Sequence, residues 1–140
     1  MLCIAAAAVV IGLPLQDFTL AWTHSIEKVR WEEDYRIAGE ELRLMEARIR
    51  GSGAGMEIPA DAVLRNGVWH YQPKLPPLSH LRLARSAHVA DYLLCQSGAC
   101  RSLGEFIGPP EAAPVAELFP CKDAASASPQ TTLMPNPLVR

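Results

Sequence analysis

The stretch "AVLRNGVWHY", residues 62–71, sets Asn66-Gly67 between two short apolar-rich runs. A two-residue type I′ hairpin turn needs positive φ at both central residues, and Asn-Gly meets that need at low steric cost. The feature commits this part of the chain to antiparallel strand pairing. Other segments agree with it. In "DFTLAWTHSI", Phe18, Leu20, Trp22, His24 and Ile26 share one face, and Thr19, Ala21, Thr23 and Ser25 share the other. Period two belongs to a strand with one buried face. "RWEEDYRIAGEELRLMEARIR" has the Ala, Leu, Met and Glu content of a helix. Yet Trp31, Tyr35 and Ile37 alternate with polar residues, Gly39 interrupts the centre, and Leu42 and Leu44 resume the alternation. It reads as a hairpin turning at "AGEE".

"LRLARS" and "ADYLLC" read as short strands, and "CRSL" closes a last hairpin. Prolines keep "QPKLPPLSH" out of any central strand, because proline donates no ladder hydrogen bond. Twelve prolines and nine glycines in 140 residues fit many turns and short elements. From Gly108 onward the chain is rich in Pro, Ala and Ser and has no periodicity. The expected architecture is therefore all-β: a small antiparallel sandwich or partly closed barrel built of hairpins over residues 2–105. Residues 106–140 are expected to form a largely disordered tail.

The apolar start "MLCIAAAAVVIGLPL" raises the question of a targeting segment. No Lys or Arg precedes the run, and it ends at Pro14 and Asp17, short of the roughly 18–20 residues that cross a bilayer. A strand pair is expected instead, with no transmembrane segment. The cytoplasm is then the default location, and a periplasmic or membrane-associated one the alternative. The net charge of −2 offers no basic excess for a phosphate backbone, so nucleic acid is not an expected partner. Cys95 and Cys100 bracket "QSGA" and can face each other across a hairpin. They read as two small apolar residues, with a disulfide as the alternative in an oxidising compartment. Their spacing is not that of a zinc site.

The densest chemistry lies in "WTHSIEKVRWEEDY", residues 22–35. A regular hairpin turning at 38–41 would pair Ile37 with Leu42, Tyr35 with Leu44, Glu33 with Glu46 and Trp31 with Arg48. Two carboxylates would then oppose each other on the face that carries Trp31 and Tyr35, with His24 near and Arg48 as counter-charge. Opposed carboxylates destabilise a sheet unless they share a proton or gain a cation. Three readings stay open: a structural polar network, a site for a small ligand or cation, and a general acid and base of a hydrolase. Glu32, Asp34 and Arg36 fall on the other face and are expected to be solvated. The glycines of "RGSGAGME" have neither G-x-G-x-x-G nor P-loop spacing, and read as a backbone crossing or bulge, with anion binding by the loop N–H groups as the weaker reading.

"FTLAWTHSIEKVRWEEDYRI", "EARIRGSGAGME" and "NGVWHY" together resemble a bacterial family, the domain of unknown function 1850. The resemblance spans about residues 2–105, and its most specific parts are His24-Ser25-Ile26-Glu27 and Gly53-Ala54-Gly55-Met56. It implies a small all-β protein, often encoded beside TRAP-type transporter components of the TAXI class. That points to an accessory role in solute uptake, with the TRAP permease or the TAXI solute receptor as partner. Some members carry an N-terminal membrane anchor. No reaction or cofactor is attached to the family, so the cofactor is unknown. The expected ligand-binding residues are His24, Ser25, Glu27, Trp31, Glu33, Glu46, Arg48, Gly53 and Gly55. The expected function is a non-enzymatic binding or accessory module. The alternative is a small metal-dependent enzyme or hydrolase using His24, Glu33 and Glu46.

Overall fold

The apolar N-terminal run forms two strands, β1 (Leu2–Ala6) and β2 (Val9–Leu13), in a computed structural model that describes residues 1–23, 29–50 and 59–122. The alternating segment forms β3 (Asp17–Thr23), and the charged stretch forms the hairpin β4 (Arg30–Ala38) and β5 (Glu41–Arg50). Its turn is at Gly39, whose φ of +64° is the left-handed conformation that glycine adopts without strain. β6 (Val63–Arg65) and β7 (Val68–Tyr71) flank Asn66 and Gly67, at φ +51° and +78°. Both values are positive, as the type I′ turn requires. β8 (Leu81–Ala84) follows, then the hairpin β9 (Leu93–Gln96) and β10 (Ala99–Ser102) turning at Ser97-Gly98. One turn of helix, α1 (Gly104–Ile107), and a last strand, β11 (Val115–Pro120), complete the fold.

The strands form two antiparallel sheets. One has the order β2-β1-β11-β8, the other β10-β9-β3-β4-β5-β7-β6. Neither closes on itself, so of the two expected architectures the structure is the open, two-sheet one. Leu2, Ile4, Leu81, Leu83 and Leu118 from the first sheet share one core with Phe18, Leu20, Trp22, Tyr35, Ile37 and Leu94 from the second. Each such fully buried side chain contributes about 1.5–3 kcal/mol relative to exposure. β1 is buried along its whole length because it lies between β2 and β11 and packs on both faces. Cys3 and Ala5 on its other face meet Phe119 in a smaller cluster.

Three expectations change here. The domain does not end at residue 105. β11 lies well beyond it, between β1 and β8, with Cys3 paired to Phe119 and Leu118 to Leu81. Leu118 and Ala116 are fully buried, so this strand is part of the core. Residues 123–140 of the expected tail lie outside the described residues. Cys95 and Cys100 are not merely small apolar residues: they are directly opposed on β9 and β10 and joined as a disulfide. A second disulfide joins Cys3 to Cys121 across 118 residues of sequence. The third change concerns the register of the β4–β5 hairpin and bears on the site.

Between β10 and β11 the chain is fastened by Arg85. Its side chain is 1% exposed. It donates Nε and Nη2 to the two carboxylate oxygens of Asp91, both at 3.0 Å, and further N–H bonds to the carbonyls of Gly108 and Ala113. Asp91 in turn accepts the Gly104 N–H at 2.8 Å, at the start of α1.

Candidate functional site

The β4–β5 hairpin starts in the expected register, with Ile37 opposite Leu42 and Tyr35 opposite Leu44. It then breaks. Asp34 lies opposite Glu46, Glu33 opposite Ala47, Glu32 opposite Arg48 and Trp31 opposite Ile49. Met45 is the extra residue of a β-bulge, which adds one residue to one strand and reverses the face of everything after it. Glu33 and Glu46 therefore do not pair, and neither do Trp31 and Arg48. The physical cause is burial. With the bulge, Ala47 and Ile49 enter the core at 1% and 0% exposure. Without it, Glu46, Arg48 and Arg50 would point there instead.

The correction divides the expected site. Glu33 is on the inner face, 2% exposed, and accepts a hydrogen bond from Tyr35 Oη at 3.3 Å. Trp31 stacks near Trp22 on the same face, with ring centroids 6.2 Å apart. Glu46 and Arg48 are on the outer face, away from the core. His24, Ser25, Glu27, Gly53 and Gly55 lie outside the described residues.

On the outer face a cluster of charged and polar side chains runs across four strands, β3, β4, β5 and β7. Arg48 donates to both oxygens of Asp34, at 2.6 and 2.7 Å, and through Nε to Glu32 at 3.2 Å. Arg50 and Arg30 also donate to Glu32, at 3.0 and 3.1 Å. Thr19 on β3 donates its hydroxyl to Asp34 at 2.6 Å. His70 on β7 lies against Glu46 through Nδ1, and Arg48 approaches Glu46 at 3.9 Å. Glu32 was expected to be solvated. Instead it is 7% exposed, covered by the three arginines. The sequence held a signal for this: the apolar parity changes from Leu42 and Leu44 to Ala47 and Ile49, which puts Arg48 and Arg50 with Glu32.

Electrostatics follow the geometry. Burial pushes the Glu32 carboxyl up, but hydrogen bonds from Arg48 and Arg50 outweigh it and hold the group below its ordinary value of 4.5. The same balance, with bonds from Arg48 and Thr19, lowers Asp34 below 3.8. The Asp34 hydrogen bonds keep the Arg48 guanidinium protonated well beyond its usual range. Both carboxylates are thus anionic at neutral pH.

Beside this cluster an open groove of about 450 Å³ is lined by Glu46, Asp61, Val63, Arg65, His70, Tyr71 and Gln72. Among the described residues, no group of three or more His, Cys, Asp or Glu side chains is placed to hold a metal ion. No helix of the described residues is long and apolar enough to cross a membrane.

A family model described as Domain of unknown function (DUF1850) matches residues 18–103. The chain belongs to the DUF1850 family. The match takes in β3 to β10, hence the whole seven-stranded sheet and the charged cluster. Three of the four strands of the other sheet, β1, β2 and β11, lie outside the matched residues of this DUF1850 protein. No curated protein and no solved structure matches the chain.

Proposed function

We propose that this DUF1850 domain is a non-enzymatic binding or accessory module that works beside a TRAP-type solute transporter of the TAXI class. The outer face of β4, β5 and β7, with its groove, is the binding surface. The observation that carries the binding part is the state of the carboxylates. Glu32 and Asp34 are anionic and fully engaged by arginine, and Glu46 is engaged by His70. A general acid must hold a proton near the working pH, and a catalytic base must be open to its substrate. Side chains so committed suit a fixed, charge-patterned surface better than a reacting centre. The transport association rests on the resemblance of residues 2–105 to the family.

Of the expected site residues, Glu46 and Arg48 belong to this surface. Trp31 and Glu33 belong to the inner face, and His24, Ser25, Glu27, Gly53 and Gly55 lie outside the described residues. The enzyme reading needed Glu33 and Glu46 together, and opposite faces of one sheet keep them apart. The test is a pull-down with the TRAP permease and its solute receptor, combined with thermal-shift screening against small carboxylates. Capture of either partner, weakened by His70→Ala or Arg65→Glu, is the expected result. Neither capture nor any thermal shift would remove the reading.

A further inference from the structure

The two disulfides of this chain differ in accessibility and in what they close. Cys3 is fully buried and its bond to Cys121 closes the ring between β1 and the end of β11. Cys100 is exposed, and its bond to Cys95 closes only five residues of sequence. That short loop is already closed by the Ser97-Gly98 turn and by the β9–β10 ladder. Among the described residues β10 is an edge strand, paired with β9 alone. Opening the Cys95–Cys100 bond therefore leaves the rest of the sheet intact, whereas Cys3 is fully buried within the other sheet, between β2 and β11. Exposed disulfides at an edge are the ones that exchange with external thiols.

We propose that the Cys95–Cys100 disulfide is a site of thiol–disulfide exchange with a dithiol protein, while Cys3–Cys121 is a permanent staple. The site lies at the opposite edge of the sheet from the groove by His70, and is independent of the binding reading. In the exchange, a partner thiolate attacks Sγ of Cys100, the exposed residue of the pair. The Cys95–Cys100 bond breaks and Cys95 leaves as a thiolate that takes up a proton. The partner's second thiol then attacks its own sulfur in the mixed disulfide and releases Cys100. Two electrons and two protons pass from the dithiol to the disulfide, and the partner leaves oxidised.

The test uses the folded full-length chain in graded dithiothreitol, quenched with N-ethylmaleimide and mapped by mass spectrometry. Cys95 and Cys100 are expected to be alkylated at reductant concentrations at least tenfold below those that open Cys3 and Cys121, with the near-UV circular dichroism retained. Opening of both pairs together, opening only on unfolding, or a Cys95–Cys100 pair never formed in the air-oxidised protein overturns the proposal. A thioredoxin-type dithiol protein whose resolving cysteine is replaced by serine supplies the second readout. It is expected to be trapped on Cys100, and not at all on Cys100→Ser. Absence of a trapped species, or trapping on Cys95, also overturns it.

Discussion

Arg48 and Arg85 each grip an aspartate with two guanidinium nitrogens, and they do opposite work. Arg85 is 1% exposed and spends its remaining donors on backbone carbonyls of the segment between α1 and β11. Arg48 is 16% exposed and spends its remaining contacts on other charged side chains, Glu32 and Glu46. The first is a closed pin: every partner is a fixed part of the fold. The second is a more open array of side chains that solvent partly reaches. The same ion pair becomes architecture or surface according to what its spare hydrogen-bonding groups meet.

The strongest way to break this comparison is Ile49→Asp, which puts an unpaired carboxylate at a fully buried position on the inner face that the bulge makes available to Ala47 and Ile49. We expect loss of about 5 kcal/mol or more, read as loss of a cooperative thermal transition. Deleting Met45 itself removes only the extra residue and keeps Ala47 and Ile49 on the inner face in a regular ladder, so it should cost far less. An Ile49→Asp variant with an unchanged melting temperature would show that burial does not set the register.

Next in size is Arg85→Met, which leaves the Asp91 carboxylate without its cation and two carbonyls without donors. Removing one member of a buried pair costs about 3–5 kcal/mol, measurable by urea unfolding. Arg48→Met should cost less, about 1–3 kcal/mol, because Glu32 keeps Arg30 and Arg50 and solvent reaches Asp34. The two losses should also differ in salt dependence: that of Arg48→Met shrinks in about 1 M salt, while that of Arg85→Met persists. Equal losses with equal salt response would erase the distinction.

Acid sharpens the comparison further. Glu32 and Asp34 are held below their ordinary values of 4.5 and 3.8, so their contribution is fully present above those values. It is lost as pH falls below 4.5 and 3.8 towards the lowered folded-state values. Stability measured across that window should fall more steeply in the wild type than in a Glu32→Gln/Asp34→Asn variant. The smallest effect is expected for Glu46→Gln, within about 0.5–1 kcal/mol, with any loss appearing in ligand or partner binding instead.

Much of the seven-stranded sheet was legible because its signals are local. Asn66-Gly67, Ser97-Gly98 and Gly39 set turns by their own backbone preferences, and Phe18, Leu20 and Trp22 declare a buried face by parity. The candidate site was legible only in part. Parity carried Trp31 and Glu33 to the inner face correctly, but extrapolating a regular ladder past Leu44 misplaced Glu46 and Arg48 by one residue. Glu32 was missed as a buried group because its burial comes from three arginine side chains, two of them on the neighbouring strand.

The sequence by itself determined the hairpins, the faces of β3 and β4 and the antiparallel character, since each depends on residues a few positions apart. Only the tertiary structure decided the rest. β11 is a strand because β1 and β8 leave a gap that Ala116 and Leu118 fill, and one of its two partners, β1, is more than 100 residues away. No local pattern between Pro114 and Pro120 announces that. The bulge at Met45 and the meeting of Cys3 with Cys121 have the same origin: a buried face or a distant strand fixes them, and neither is present in a short window of sequence.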